Sequence, residues 1–496
     1  MLEPSPVISC VAFDCSNSSI RAVLGRCEDE RIHMEVIHEV PNQPIDVGGL
    51  YYWDILYIFN EMQKGLTKAY HVCGDINSAG ICTWGVDFGL LGATNLLLAN
   101  PMSYRNTIGL EILETLSSEE LRQNFYQTGI QNDRINSLYQ LLAIRKLFPE
   151  LFSLAKDVLM IPDLLLNMFT GIKRTEPTIA STTQIMNVQN RSFSEEVMSR
   201  YGLDARMFPG VAYHGHVLGY IKQGLAETLK INELPFVCVA SHDTASAVAA
   251  VPASARDLLF VSSGTWSLIG TELAAPIIDD NVYKLGFTNE LGAYGTVTLL
   301  KNSTGLHIIQ SVRRELAREG RQYSWDEIVD IAQTHKGPTP LIDPNDPAFF
   351  NPPSMIAAIK DYCGQTGQET DLKLPAMIMA IYQSLAYSYR LAFSDIERIT
   401  GKTYDTVHII GGGSRNRFLN QLVADITGKT VLAGPAEATS MGNLAIQCGY
   451  HRQTLGLEYV RDLVRNSFAV EKFVPNKHEA AEDRLPLFIQ LAKMNK

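Results

Sequence analysis

Asp243 is the only carboxylate in Ala240-Ser-His-Asp243-Thr-Ala-Ser-Ala247, and an apolar run, Phe236-Val-Cys-Val-Ala240, leads into it. The run has the composition of a buried strand, so Asp243 is expected at a strand end, where α/β sheets place their ligands. An acceptor-only group there can take a proton from a hydroxyl or hold a hydrated Mg²⁺. About twenty residues on, Leu258-Leu-Phe-Val261 is broken by Ser262-Ser-Gly264-Thr265 and resumes as Trp266-Ser-Leu-Ile-Gly270. Strand, tight turn and strand are predicted, with Gly264 supplying the special backbone position and the turn leaving N–H groups free for phosphate oxygens. Each stretch alone has a plainer reading, because an Asp after a strand is more often a helix cap and Ser-Ser-Gly-Thr more often a hairpin turn.

The weight comes from repetition. Val7-Ile-Ser-Cys-Val-Ala-Phe13 runs into Asp14-Cys-Ser-Asn-Ser-Ser19 and returns as Ile20-Arg-Ala-Val-Leu-Gly25. Apolar strand, hydroxyl-rich turn and apolar strand thus occur twice, some 250 residues apart. That predicts two domains of like fold, each offering one phosphate-facing hairpin to a cleft between them.

The elements that must position these groups follow in order. Asp54 is expected to cap a helix to about Tyr70, with Ile55, Ile58, Phe59, Met62 and Leu66 on one face. Ser78 to Leu91 reads as a strand kinked at glycine, with Gly85 and Gly89 open to a ligand and Asp87 a solvated or capping residue. Residues 117–171 are helix-rich, an insertion or lid. Lys301-Asn302-Ser-Thr-Gly305 precedes an amphipathic helix bearing Gln310; Asn302 reads equally as a polar contact or a cap. Residues 336–354 form a loop, and Pro375 to Gly401 a long helix. Thr406-Val-His-Ile-Ile410, Gly411-Gly-Gly413 and a further helix bring bare backbone against a nucleotide in other folds, although such turns also serve packing. Val431-Leu-Ala-Gly434 and the segment after it add a strand and helix to the same face. His214-Gly-His216 lacks a third ligand, and surface histidines are favoured over a metal site.

At 496 residues the chain exceeds one ordinary core, and 46% apolar with 19% charged residues is the composition of a soluble globular protein. The net charge of −11 argues against nucleic acid or an anionic membrane as partner. Eight cysteines without paired spacing suggest a reducing, cytoplasmic compartment. The N-terminal residues lack a basic, apolar leader pattern.

Across nearly its whole length the chain resembles the carbohydrate kinases named for a Phe-Gly-Gly-Tyr signature, within the actin/hexokinase/Hsp70-like (ribonuclease H-like) superfold. The matching segments include Thr83-Trp-Gly-Val-Asp-Phe88, Ser241-His-Asp-Thr-Ala-Ser-Ala-Val248, Ser262-Ser-Gly-Thr-Trp-Ser267, Leu300-Lys-Asn302, Asp343-Pro-Asn-Asp346 and Gly411-Gly-Gly-Ser-Arg-Asn416. They are most like those of the L-rhamnulose kinases. The resemblance implies duplicated α/β domains with a cleft between them, a sugar-binding domain over 1–245 carrying the first hairpin and a nucleotide-binding domain over 246–496. It implies transfer of the γ-phosphoryl of ATP to O1 of the sugar with Mg²⁺, by a monomer or weak dimer. By position, Asp243 would be the base; Gly85, His242, Asp243, Thr244 and Asn302 would contact sugar. Asn17, Ser18, Ser19, Ile20, Arg21, Thr265, Gln310 and Gly412 would contact ATP, and Asp14 and Asp243 would attend the metal.

Four positions depart from that pattern. Ser16 and Ile20 stand where rhamnulose kinases usually have glycine, so either the hairpin takes an ordinary extended form at 20 or ATP binds poorly. Cys82 and Asn106 replace usual aspartates on the sugar side. A kinase for another ketose (L-fuculose or a pentulose) and a non-catalytic nucleotide- or sugar-binding regulator therefore stand as alternatives.

Overall fold

A computed structural model describes residues 7–254, 258–476 and 479–494. The chain divides into two compact units built from alternating segments: Met1–Arg256, Glu272–Leu299 and Glu437–Ala469 form the first, and Asp257–Thr271, Leu300–Ala436 and Val470–Lys496 the second. Among the described residues no helix is long and apolar enough to cross a membrane. The eight cysteines are free thiols.

In the first unit, β1 (Ile8–Cys15) and β2 (Ser19–Glu28) form an antiparallel hairpin, and β3 (Arg31–Pro41) extends it. Helix α1 (Ile55–Cys73) starts where Asp54 accepts from the Tyr57 N–H at 3.0 Å. Its Ile55, Ile58, Met62 and Leu66 pack on Val11, Phe13, Ile20 and Leu24 of the hairpin. The Ser78–Leu91 stretch is two strands rather than one. β4 (Ser78–Thr83) runs parallel to β1; the chain then turns through Val86 at φ +66 into a short strand, Phe88–Leu91. With β5 (Val217–Tyr220) and β6 (Pro235–Val237) the sheet order is β5-β6-β4-β1-β2-β3. β6 ends before Ala240, and α2 (Asp243–Ala249) opens with Asp243 in its first turn.

The second unit repeats this wiring. β7 (Leu259–Ser263) and β8 (Trp266–Leu273) are an antiparallel hairpin, beside which runs β9 (Val297–Thr304), followed by α3 (His307–Arg318). Helix α4 (Leu374–Thr400) ends at Gly401 with φ +67, as the sequence predicts. β10 (Thr406–Ile410) is parallel to β7; after it come α5 (Arg417–Thr427), β11 (Thr430–Ala433) and β12 (Glu471–Phe473), in the order β9-β8-β7-β10-β11-β12, with a short strand, Thr288–Leu291, paired to the outer side of β9. Two expectations change here. Gly264 does not take a positive φ, and a Cβ on it would meet only the Trp266 carbonyl at 3.6 Å; the position that tolerates no side chain is Gly305, whose Cβ would fall 2.6 Å from the Gly264 carbonyl oxygen. The helix after β11, Ala438–His451, belongs to the first unit.

That helix sets the site. Gln447 donates to the Val11 carbonyl at 3.1 Å, and Asn443 reaches Cys82 at 3.2 Å, so it lies on β1 and β4. It meets α2 at Gly442, where any Cβ would overlap the Ser246 carbonyl oxygen. Gly442→Ala should therefore push α2 off its seat and destabilise the protein by about 1–3 kcal/mol, read as a lower urea midpoint. A midpoint at or above the wild-type value would show that the two helices have room to spare.

Candidate active site

Asp243 stands at the first turn of α2, its side chain 32% exposed. Its Oδ1 accepts from the Thr244 N–H at 2.6 Å and lies 3.4 Å from His242 Nε2. Burial of the surroundings raises its pKa, and His242 and the Thr244 N–H oppose the rise without cancelling it. His242 caps α2 by position but not by hydrogen bond, since its ring turns inward and is 8% exposed. Its backbone N–H donates to Thr178 Oγ1 at 3.0 Å, and its Nδ1 faces Glu290 Oε2 at 3.2 Å, an ion-pair distance without a well-directed hydrogen bond. Burial pulls the imidazole down; the Glu290 carboxylate and then Asp243 outweigh it, so the ring is pushed up to about 9 and is cationic at neutral pH. A Cβ on Gly85 would lie 3.0 Å from Thr182 Cγ2 and 3.3 Å from His242 Nε2, so the bare backbone at 85 lies against the same ring. Thr244 is buried beside them.

Asp14 occupies the end of β1 in the same unit. Arg21, its cross-strand partner, donates to it at 2.6 Å, Ser440 donates at 2.9 Å, and Arg21 also pairs with Glu437. Burial raises the Asp14 carboxyl against the pull of Arg21 and Ser440, and the Asp243 charge adds to the rise. The hairpin turn takes the ordinary extended form at position 20. Ile20 is in ordinary extended pairing with Cys15 and Val40, with its side chain fully buried in the core; no positive φ is needed. Ser16 Oγ accepts from the N–H groups of Ser18 and Ser19 at 3.3 and 3.0 Å, and Asn17 donates to the Tyr104 hydroxyl at 2.8 Å.

The other candidates lie in the second unit. Thr265, at the tip of the β7–β8 turn, donates to Gln310 of α3 at 3.2 Å. Gly411, at φ +78, and Gly413 press on Ser263, where side chains would collide; Gly412 is exposed and a Cβ there would meet nothing within 4 Å. Asn302 is exposed within β9, so the capping alternative does not apply. The site residues thus fall into two groups: Asp14, residues 17–21, Gly85, His242, Asp243 and Thr244 in the first unit, and Thr265, Asn302, Gln310 and Gly412 in the second.

Several side readings change. Asp87 is not solvated: it is fully buried and accepts from the indoles of Trp53 and Trp84 at 2.6 and 2.9 Å and from Gln140 at 3.1 Å, with burial pushing it up to about 6. His214 is not a surface residue, being buried against Glu176 at 2.6 Å, whereas His216 is exposed. Cys82 is buried against the Ala240 carbonyl, and Asn106 is spent on the backbone of Tyr51 and Ser103. Among the described residues no cluster of three His, Cys, Asp or Glu side chains is arranged around a metal. Nothing local in the sequence marks Glu290, Glu176 or Thr182, since each reaches these residues from a distant segment.

The models of the N-terminal and C-terminal domains of the FGGY family of carbohydrate kinases match residues 9–250 and 259–449. The chain belongs to that family and is an ATP-dependent sugar kinase. It is 37% identical over 465 residues to a rhamnulokinase of Bacteroides thetaiotaomicron (94% of this chain, 95% of the relative) and 35% identical to one of Bacillus subtilis (94% and 95%). The fold is that of xylulose kinase from Lactobacillus acidophilus, with TM-score 0.81 at 17% identity covering 98% and 97% of the two chains. Plasmodium falciparum glycerol kinase gives TM-score 0.80 at 15% identity, covering 99% and 98%.

The raised pKa of His242 carries a sign. Its folded-state value of about 9 stands above its ordinary 6.5, so its charge stabilises the fold fully below pH 6.5, and this contribution is lost as pH rises through 9. The unfolding free-energy difference between wild type and His242→Gln should shrink steadily over that window in urea titrations. A difference that stays constant would mean the ring is neutral throughout.

Proposed function

We propose that this kinase transfers the γ-phosphoryl group of MgATP to the O1 hydroxyl of L-rhamnulose, with Asp243 as general base. The observation that carries the reading is a carboxylate at a helix start, open to solvent on one side and held on the other by a cationic imidazole. Asp243 takes the hydroxyl proton on a carboxylate oxygen as the sugar oxygen bonds to phosphorus and the bond to the leaving ADP breaks. His242 lowers the cost of keeping Asp243 ionised before the proton arrives. With Gly85 and Thr244 it forms the wall against which the sugar is oriented. L-rhamnulose is favoured because the chain's relatives at 35–37% identity over most of their length are rhamnulokinases. Cys82 and Asn106, the departures that raised another ketose, are occupied in structural bonds and supply no argument for a changed sugar.

The first unit takes the sugar and the second presents the nucleotide surface, with Thr265 and Gln310 at its polar edge and Gly412 as bare backbone. Gly411 and Gly413 are needed by the protein's own packing, but Gly412 is not, so its lack of a side chain is left for a ligand to use. Mg²⁺ fits the pair Asp14 and Asp243: two hard oxygen donors in one unit, each raised by burial and Asp14 raised further by Asp243, suit a cation that binds one or two carboxylates with phosphate and water. When bound, the ion would neutralise charge developing on the phosphate oxygens.

In a coupled ADP-release assay over a panel of ketoses, L-rhamnulose should give the highest kcat/KM. Turnover with fuculose or a pentulose but not rhamnulose would replace the substrate, and ATP binding without turnover on any sugar would make the chain a regulator. Asp243→Asn should keep ATP affinity while losing a factor of about 10²–10⁴ in kcat; near-normal turnover would remove Asp243 as base. Gly412→Val should leave the thermal midpoint unchanged yet weaken ATP binding about tenfold, ~1.4 kcal/mol. Unchanged affinity would move the nucleotide away from that turn.

A further inference from the structure

Glu290 enters the site from a part of the chain that neither the sequence motifs nor the reading of Asp243 involves. It lies on a short strand, Thr288–Leu291, with a side chain 15% exposed. The strand is pinned on both sides of it. Asn289 donates from its backbone N–H and its amide to the Gly129 carbonyl at 2.9 and 3.2 Å, and exchanges two hydrogen bonds with Ile277 at 2.9 Å each. The Leu291 N–H donates to Ser181 Oγ at 3.0 Å. Glu290 is therefore delivered by a fixed backbone, and its carboxylate ends 3.2 Å from His242 Nδ1.

On the other side of the ring, Nε2 looks at Asp243 Oδ1 from 3.4 Å and at the bare face of Gly85. The backbone of His242 is tied independently: its N–H donates to Thr178 Oγ1, which itself donates to Glu176 at 2.6 Å. The main chain at 242 is thus fixed without Glu290, while the ring's rotation about its side-chain bonds is set by Glu290 on the Nδ1 side and by Asp243 and Gly85 on the Nε2 side. An imidazole with one nitrogen on a carboxylate and the other on the working group is held in one orientation and one protonation pattern.

We propose that Glu290 is a positioning residue for this kinase, fixing the His242 ring so that Nε2 is presented to Asp243 and to the sugar beside it. The inference rests on the reading of Asp243 as base. Glu290 touches neither reactant; it acts through His242, and its loss leaves the ring free to turn Nε2 away. Misplacement of a group by about an ångström can cost on the order of 100-fold in rate.

A double-mutant cycle on the full-length kinase tests this, with sugar and ATP each varied. Glu290→Ala should lower kcat/KM for the sugar by about 10- to 100-fold with KM for ATP unchanged. Glu290→Gln, which keeps an acceptor oxygen at the same reach, should recover most of the loss. In a His242→Gln background, Glu290→Ala should add no further loss, because the residue it positions is already gone. The proposal is overturned if Glu290→Ala leaves sugar kcat/KM within about twofold of wild type, or if its effect is the same size with and without His242. Should Glu290→Ala melt early, the cycle is run with Glu290→Asp, whose shorter reach should lower sugar kcat/KM and whose loss must likewise vanish in the His242→Gln background. Asp243→Asn, assayed alongside, separates the two readings: full turnover there rejects the base, whatever Glu290 does.

Discussion

The site depends on a carboxylate, Asp243, and the imidazole of His242 that faces it. Burial works against Asp243, and Asp14 adds a second negative charge in the same unit. The Asp243 charge works against ionising Asp14. The cation that opposes the rise at Asp243 is His242, whose own charge is favoured by Glu290 and Asp243 facing it from opposite sides. For Asp14 it is Arg21, which shares its guanidinium with Glu437. Each working acid thus has its own counter-charge, and each counter-charge has a second acid.

Such an arrangement needs backbone precision, and the chain obtains it by bringing a late segment back onto an early sheet. The Ala438–His451 helix lies on β1 and β4, bonds Ser440 to Asp14, and seats α2 through the missing side chain at Gly442. One helix therefore fixes the separation of the two carboxylate-bearing elements. Its residues are some 200 positions from Asp243 and more than 400 from Asp14, so the geometry exists only once the long-range packing is complete. The same logic holds for Glu290, whose strand pairs with β9 and is also tied to the distant Gly129 and Ser181.

Much of this was legible beforehand, and the reason is local. Alternating apolar strands, the Asp54 cap, the Pro375 start and Gly401 stop of α4, and the repeated strand–turn–strand all follow from short-range periodicity and turn chemistry. What escaped was tertiary. Asp87 and His214 have the composition of solvated residues, yet two indoles and a buried glutamate claim them. The Ala438–His451 helix reads as a continuation of the β11 segment, because nothing in its sequence says that its small residues face α2 in the first unit. Gly264 drew attention for its company in the turn, whereas the crowded glycine is Gly305, forty residues later. Sequence shows which residues can do chemistry; which ones close the circuit of charges around them depends on contacts that no spacing rule encodes.

Ser16 shows how a departure from pattern is absorbed. A glycine there would leave the turn's amides facing outward, whereas the serine hydroxyl folds back and accepts from Ser18 and Ser19. The turn gains a local brace of the kind Ser and Asp give to loops. An anion arriving at this turn must then compete with that hydroxyl for the same two N–H groups. Ile20, by contrast, changes nothing at the surface: its side chain belongs to the core and its backbone to the sheet ladders. The two substitutions differ in kind: Ser16 braces the hairpin tip with its own hydroxyl, while Ile20 extends the hydrophobic face by a residue.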